Sequence, residues 1–142
     1  MPTRTSSARW QGTLREGSGT MRVGSGAFHG SYSFPSRFES GEGTNPEELI
    51  AAAHAGCFSM ALAGNLTRAG YRPNSVETTA AVHLDQTGEG FAITRIELNT
   101  TAEVPGIDQA EFDKQAQAAK TGCPVSRALS AVEITLTASL AG

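Results

Sequence analysis

The 142-residue sequence lacks an excess of either charge: 11 lysines and arginines stand against 14 aspartates and glutamates, for a net charge of −3. This balance excludes a basic surface built to neutralise many phosphates, so we expect no nucleic acid partner. A long uninterrupted apolar run is also missing, because polar residues and glycines break the most apolar stretch at positions such as His54 and Ser59. We therefore expect no membrane span. The first residues lack the apolar core of a signal peptide, which favours a soluble cytoplasmic protein.

Cysteine is scarce, with only Cys57 and Cys123, which lie far apart in the sequence. A structural disulfide is not expected in a reducing cytosol, so the two are either inert buried thiols or a redox couple. Repeats, low-complexity tracts and linker-like composition shifts are absent too. A chain of this size buries roughly two-thirds of its unfolded surface, enough for one core, and we expect a single domain over residues 1–142.

Glycine is abundant only in the first part of the chain, where half of the 16 glycines lie within the first 43 residues. This density disfavours helix there. The apolar runs between the glycines predict a meander of strands at Ala8–Leu14, Gly19–Val23 and Ser31–Phe38.

A long helix is predicted from residue 44 onward. Thr44 and Asn45 supply capping side chains, and Pro46 suits the first helical position. The helix should end near Gly70. Small or apolar residues occupy nearly all of its surface, so a sheet on one side and another element on the other must cover it. The simplest second cover is the same helix of another copy, which predicts a homodimer.

The rest of the chain combines alternating strand patterns with two helical segments, and this order predicts an α+β fold. The predicted elements are a strand through Val76–Asp85, a turn at Gln86–Gly90, a strand at Phe91–Val104 with Thr94 facing inward, a helix at Asp108–Lys120, a short helix from Pro124, and a strand at Val132–Leu140.

The two cysteines are each open to a bland and a reactive interpretation. Cys57 is either a small core thiol or a nucleophile; in mid-helix it gains nothing from the helix dipole and would need a cation from elsewhere. Cys123 precedes Pro124, at the expected positive end of a helix, which favours its thiolate. The dipole alone would make Cys123 the attacking thiol, and the order of attack stays open on these grounds.

Arg37 and Glu47 are the charged candidates. Arg37 either stacks on Phe34 or Phe38 at the surface or holds a thiolate and orients a peroxide oxygen. Glu47 is either a first-turn acid or part of the same site. It lies ten residues before Cys57, roughly 15 Å along one helix. A shared site therefore needs Glu47 from a partner chain or a later helix start.

His54 lies one helical turn before Cys57 on the same face. The pair is compatible with a Cys-His hydrolase or acyl-transferase or with half of a metal site. The three histidines show no ligand spacing, so no metal is predicted. The bland interpretation is a helix residue bonded to a backbone carbonyl or facing a partner chain, in a non-catalytic dimeric binding module.

Several motifs together resemble the OsmC/Ohr family of thiol peroxidases, and its OsmC branch in particular. They cover almost the whole chain: Trp10-Gln11-Gly12, Ser36-Arg37-Phe38-Glu39, the segment 43–62 with its Asn45-Pro46-Glu47-Glu48 start and its Ala55-Gly56-Cys57-Phe58 core, Val104-Pro105-Gly106-Ile107-Asp108 and Gly122-Cys123-Pro124-Val125-Ser126. Gly56 is one small departure, since alanine is commoner there.

The resemblance implies an intertwined α+β homodimer with active sites at the subunit interface. It implies reduction of organic hydroperoxides and hydrogen peroxide, with Cys57 peroxidatic, Cys123 resolving, and Arg37 and Glu47 polarising the thiolate and the peroxide. An external dithiol, a lipoyl protein in some relatives, would restore the thiols, and no cofactor is needed. From composition we expect Phe38, Phe58, Met60 and Ile50 to suit an alkyl tail.

Overall fold

The computed structural model describes residues 1–141 and divides them into two compact units, Met1–Leu49 and a second unit that begins at Ile50. The first unit carries a sheet of three antiparallel strands in the order β1 (Ser6–Gln11), β2 (Ser18–Val23) and β3 (His29–Tyr32). Gly19 pairs with Trp10 on one side and with Tyr32 on the other. A Cβ at Gly19 would lie 2.7 Å from a ring atom of each aromatic, so the close approach of the two rings requires glycine here.

The third predicted strand is partly wrong, because residues 34–38 form a short helix, α1 (Phe34–Phe38). A reciprocal capping box starts it: the Ser33 backbone N–H donates to Ser36 Oγ at 2.8 Å, and the Ser36 N–H donates to Ser33 Oγ at 3.3 Å. Pro35 suits the first helical turn. The glycines lie on either side of this segment and none lies within it. The expectation that the first third of the chain contains no helix is therefore wrong for residues 34–38.

The long helix α2 spans Pro46–Arg68, as predicted. Asn45 Oδ1 accepts the Glu48 backbone N–H at 2.7 Å and caps the start. Gly70 has φ of 95°, and the Tyr71 N–H returns to the Leu66 carbonyl at 2.9 Å, which ends the helix. By length and composition alone, with a mean hydropathy of 1.4, α2 is long and apolar enough to cross a membrane, which does not overturn the expectation that the chain has no span. A core helix meets the same criteria, and this one buries Phe58 and Leu62.

The second unit carries a sheet in the order β4 (Ser75–Thr87), β5 (Gly90–Glu103) and β6 (Glu133–Leu140). β4 and β5 form an antiparallel hairpin, whereas β6 runs parallel to β5. The parallel pairing follows from the crossover through α3 (Gln109–Gly122) and α4 (Pro124–Ala128), which returns the chain to the start of β5. Residues from α2, β5 and α3 form the core, and its buried members are Phe58, Leu62, Leu66, Ile96, Leu98, Ala102, Phe112, Ala116 and Ala119.

Two local predictions in the hairpin need correction. Its turn is only Gly88 and Glu89, shorter than the predicted Gln86–Gly90, and Gly90 has φ of 118°. The pairing register shifts between His83 and Leu84, opposite Thr94. Because the extra residue reverses the alternation, Thr94 is exposed rather than inward-facing.

Candidate active site

The two cysteines meet although they are 66 residues apart. Cys57 lies in the middle of α2, and Cys123 lies at the junction of α3 and α4. The Cys123 Sγ is 2.8 Å from the Cys57 Sγ, and both thiols are free. Two sulfurs this close can form a disulfide with a small adjustment of the side chains.

The two thiols differ in their access to solvent. Cys57 is half-buried, whereas Cys123 is fully buried. A solvent-borne reagent therefore reaches Cys57 first, because the Cys123 sulfur is covered by protein. Accessibility favours the opposite order of attack from the one that the helix dipole suggested.

The two thiols also differ electrostatically. Burial, followed by the hydrogen bond with Cys123, raises the pKa of Cys57. Burial acts in the same direction on Cys123, but its hydrogen bonds with Cys57 and with the Ser126 backbone outweigh burial and lower the pKa of Cys123. The nearest groups thus stabilise the Cys123 thiolate, and Cys57 needs a cation to become the nucleophile.

Ser126 and His54 form a second layer behind Cys123. The Ser126 backbone N–H donates to the Cys123 Sγ at 3.4 Å, which caps α4. The Ser126 Oγ lies 2.7 Å from Nε2 of the fully buried His54. Burial lowers the pKa of His54, so its imidazole is neutral at pH 7.

Arg37 and Glu47 form a two-pronged ion pair in the first unit. Arg37 Nε donates to Glu47 Oε1 at 3.1 Å, and Arg37 Nη2 donates to Glu47 Oε2 at 3.0 Å. The Glu47 side chain is 9 % exposed and that of Arg37 is 36 % exposed. The carboxylate therefore fixes the plane of a guanidinium that still reaches solvent. Arg37 also lies over the Phe38 ring at 5.2 Å, so the stacking interpretation holds alongside the ion pair.

An aromatic cavity of about 430 Å³ opens beside Arg37. Its lining residues are Trp10, Gly12, Leu14, Tyr32, Ser33, Phe34, Arg37 and Phe38. Most of this surface is apolar, and the guanidinium supplies its positive charge. Of the residues expected from composition to suit an alkyl tail, Phe38 lines this cavity, whereas Phe58 is wholly buried in the core.

Sequence reasoning selected Cys57, Cys123, Arg37 and Glu47, and the structure brings them together as two pairs, each within one unit. It missed Ser126, although the order Cys-Pro-Val-Ser places that residue at the third position of a helix capped by Cys123. A later start of the helix is excluded as a route from Glu47 to Cys57, because α2 begins at Pro46.

This α+β fold with a paired-thiol centre defines a thiol-redox class of protein. The chain belongs to the OsmC family: the family model described as "OsmC-like protein" matches residues 39–137. It is 54 % identical to Peroxiredoxin OsmC of Escherichia coli over 130 residues, covering 91 % of this chain and 90 % of the relative. It is 36 % identical to an Organic hydroperoxide resistance protein of Xanthomonas axonopodis over 99 residues, 68 % of each chain.

Solved structures agree with this assignment. An organic hydroperoxide resistance protein OsmC from Legionella pneumophila superimposes with a TM-score of 0.71 at 26 % identity, covering 97 % of both chains. OhrB of Bacillus subtilis gives a TM-score of 0.73 at 23 % identity, covering 96 % of this chain and 98 % of that one, which shows the shared fold. The α+β fold predicted from the sequence is confirmed.

Proposed function

We propose that this chain is a thiol peroxidase of stress defence in which Cys57 is the peroxidatic and Cys123 the resolving cysteine. The observation that carries the proposal is the 2.8 Å separation of the two sulfurs. The 54 % identity to a protein named Peroxiredoxin OsmC supports the peroxidase role. The difference in burial supports the assignment, since peroxide reaches Cys57 while Cys123 is covered.

The cycle proceeds in three balanced steps. The Cys57 thiolate attacks one oxygen of the hydroperoxide, the O–O bond breaks, and the alkoxide leaves as alcohol after taking a proton, which leaves a Cys57 sulfenic acid. The Cys123 thiolate attacks the Cys57 sulfur, and the S–O bond breaks to release water. An external dithiol, such as a lipoyl group, then reduces the disulfide by exchange and is itself oxidised.

Arg37 and Glu47 are proposed to serve the Cys57 of a partner chain. Glu47 and Cys57 lie ten residues apart on one continuous helix, roughly 15 Å along its axis. Glu47 holds Arg37 by two hydrogen bonds, so the guanidinium stays near the start of its own α2. A second copy of the chain can supply the guanidinium that the Cys57 thiolate needs.

The surface of α2 supports such a homodimer. Ala52, Ala53, Gly56 and Met60 are exposed on successive turns, and Met60 is 79 % exposed. A Cβ at Gly56 would meet nothing within 4 Å in this chain, so another helix can approach closely there. Covering this apolar face by a second copy removes it from water. We propose that residues 1–142 then act as one domain of an intertwined dimer.

The aromatic cavity beside Arg37 supports an organic hydroperoxide as substrate, because its rings accept an alkyl or aryl tail while the guanidinium orients the peroxide oxygens. A cytoplasmic location accords with two thiols that must be reduced in every cycle.

Stopped-flow oxidation by cumene hydroperoxide tests the cycle in three forms of the protein. The wild type should lose both free thiols per equivalent of peroxide. Cys123→Ser should form a Cys57 sulfenic acid that a dimedone probe traps, and Cys57→Ser should not react at the first-step rate. If both thiols of the wild type stay free after peroxide is added, the peroxidase proposal is refuted, and the protein is a non-catalytic binding module.

A Cys-His hydrolase receives little support from the site. His54 Nε2 bonds to Ser126, and Nδ1 has no hydrogen-bond partner among residues 1–141. Neither ring nitrogen bonds to the Cys57 sulfur, so His54 is not placed to activate it. A hydrolase would turn over thioesters and would be indifferent to Cys123→Ser.

A further inference from the structure

Arg15 is a charged residue beside the aromatic cavity that the cycle above does not use. Its Cζ lies 4.6 Å from the centre of the Phe34 ring, and Phe34 lines the cavity. The centres of the Phe34 and Phe38 rings are 4.8 Å apart, and the Cζ of Arg37 lies 5.2 Å from the centre of the Phe38 ring. Two guanidinium groups are therefore connected through two adjacent aromatic rings.

The turn between β1 and β2 positions Arg15. The Gly17 N–H donates to the Thr13 carbonyl at 2.8 Å, and the Glu16 N–H donates to the Thr13 hydroxyl at 3.2 Å. Arg15 lies inside this hydrogen-bonded turn, so its backbone is held while its side chain reaches solvent. Leu14, the preceding residue, is also exposed and lines the cavity. The turn thus presents an apolar and a cationic side chain next to each other.

The two arginines differ in the charge that they offer to a ligand. Glu47 holds Arg37 by two hydrogen bonds and offsets its charge. Arg15 makes no ion pair with the adjacent Glu16 or with any other of residues 1–141. The residues that line the cavity include no aspartate or glutamate. Arg15 is therefore the cation beside the cavity that a negatively charged group of a ligand can pair with.

We propose that Arg15 binds a carboxylate of the substrate, so that the cavity selects organic hydroperoxides that carry an acidic group. The inference rests on the proposed peroxidase function and adds the class of substrate to it. The apolar part of the substrate contacts the rings, its carboxylate meets Arg15, and its peroxide group meets Arg37. The planar guanidinium of Arg15 can donate two parallel hydrogen bonds to one carboxylate, and its contact with the Phe34 ring limits its orientations.

The exposure of Arg15 limits the size of the effect. An ion pair between exposed groups changes affinity by a factor of at most about five, and added salt weakens it. Arg15 is therefore a specificity-determining residue: it changes which hydroperoxide binds well, while the sulfur chemistry stays that of the cycle above. Because its side chain is exposed, a substitution at Arg15 empties no buried site.

Matched pairs of an acid and its methyl ester test the proposal, because the two members of a pair share one carbon skeleton and differ in charge. The first pair is para-carboxycumene hydroperoxide and its methyl ester, and the second is the flexible ω-hydroperoxyoctanoic acid and its methyl ester. Stopped flow measures the second-order rate constant of Cys57 oxidation for each compound. The ester is also more apolar than the acid, so the acid-to-ester ratio of rate constants is compared between protein variants.

Arg15→Gln should lower the acid-to-ester ratio about threefold to fivefold for at least one of the two pairs. Arg15→Lys keeps the charge without the planar fork, so its ratio should lie between those of the wild type and Arg15→Gln. Arg15→Glu should give the lowest ratio, because it repels the acid. Arg22→Gln is the matched control: it removes the same charge from an exposed arginine of β2 that lines a different cavity, and it should keep the wild-type ratio.

The outcomes are decisive in either direction. A ratio that falls in Arg15→Gln and stays at the wild-type value in Arg22→Gln supports a carboxylate site at Arg15. An Arg15→Gln protein that keeps the wild-type ratio for both pairs overturns the proposal, and so does an equal fall in Arg22→Gln, which would indicate attraction by overall charge alone. Failure of the proposed peroxidase function is distinguishable, because neither acid nor ester would then oxidise Cys57 in the wild type.

Discussion

Replacement of His54 should remove a defined part of the acid sensitivity of the fold. Burial lowers the pKa of His54 from its ordinary 6.5. The unfolded chain takes up this proton as pH falls through 6.5, while the folded chain keeps His54 neutral to a lower pH. The stability that comes from keeping His54 neutral is therefore fully present above its ordinary pKa of 6.5. This stability is lost as the pH falls from 6.5 toward the lower pKa of the folded state.

The size of the effect follows from linkage. One additional proton bound by the unfolded chain lowers the unfolding free energy by at most about 1.4 kcal/mol per pH unit. Between about pH 7.5 and about pH 5.5 the loss is therefore at most about 1.4 kcal/mol, the limit in which the folded chain binds no proton at His54 over this range.

Urea denaturation at both pH values and one protein concentration measures this loss. Wild type should lose more stability than His54→Gln between the two pH values, by up to about 1.4 kcal/mol, because glutamine does not titrate. His29→Gln is the control: this imidazole is exposed on β3, and its replacement empties no buried site. Equal losses in wild type and His54→Gln would refute the assignment of His54 as a neutral buried group.

Three further outcomes are expected. Leu62→Ala should lower the unfolding free energy by about 3 kcal/mol in urea titrations, because it opens a cavity in the core around α2; a loss below about 1 kcal/mol would mean that the site collapses freely. Arg37→Met should lower the unfolding free energy by about 1 kcal/mol more in the wild-type background than in the Glu47→Gln background, because it leaves a buried carboxylate without its partner. The same substitution should slow sulfenic acid formation. Additive effects of the two substitutions on stability would mean that Arg37 and Glu47 do not interact energetically. Met60→Glu should shift the protein toward monomer in analytical ultracentrifugation by placing charge on the apolar face of α2; an unchanged mass would place the interface elsewhere.

Most of the helices and strands could be predicted from the sequence because their signals are local. The Asn45 cap, Pro46 and Gly70 bound α2, and the alternation of apolar residues predicts the face of β6. These signals act over a few residues, so no distant contact is needed to interpret them. The same locality explains the error at Phe34–Phe38, where one serine capping box outweighed the strand-like pattern.

What the sequence by itself determined is the set of reactive groups and the elements that carry them: two cysteines, an arginine, an acidic first turn, and an α+β order. Only the tertiary structure decided that Cys57 and Cys123 lie 2.8 Å apart, that Cys123 is the covered one, and that His54 bonds Ser126. The physical reason is the crossover through α3 and α4, which makes β6 parallel to β5 and returns Cys123 to the middle of α2. That return depends on packing between residues distant in the chain, which local spacing does not encode.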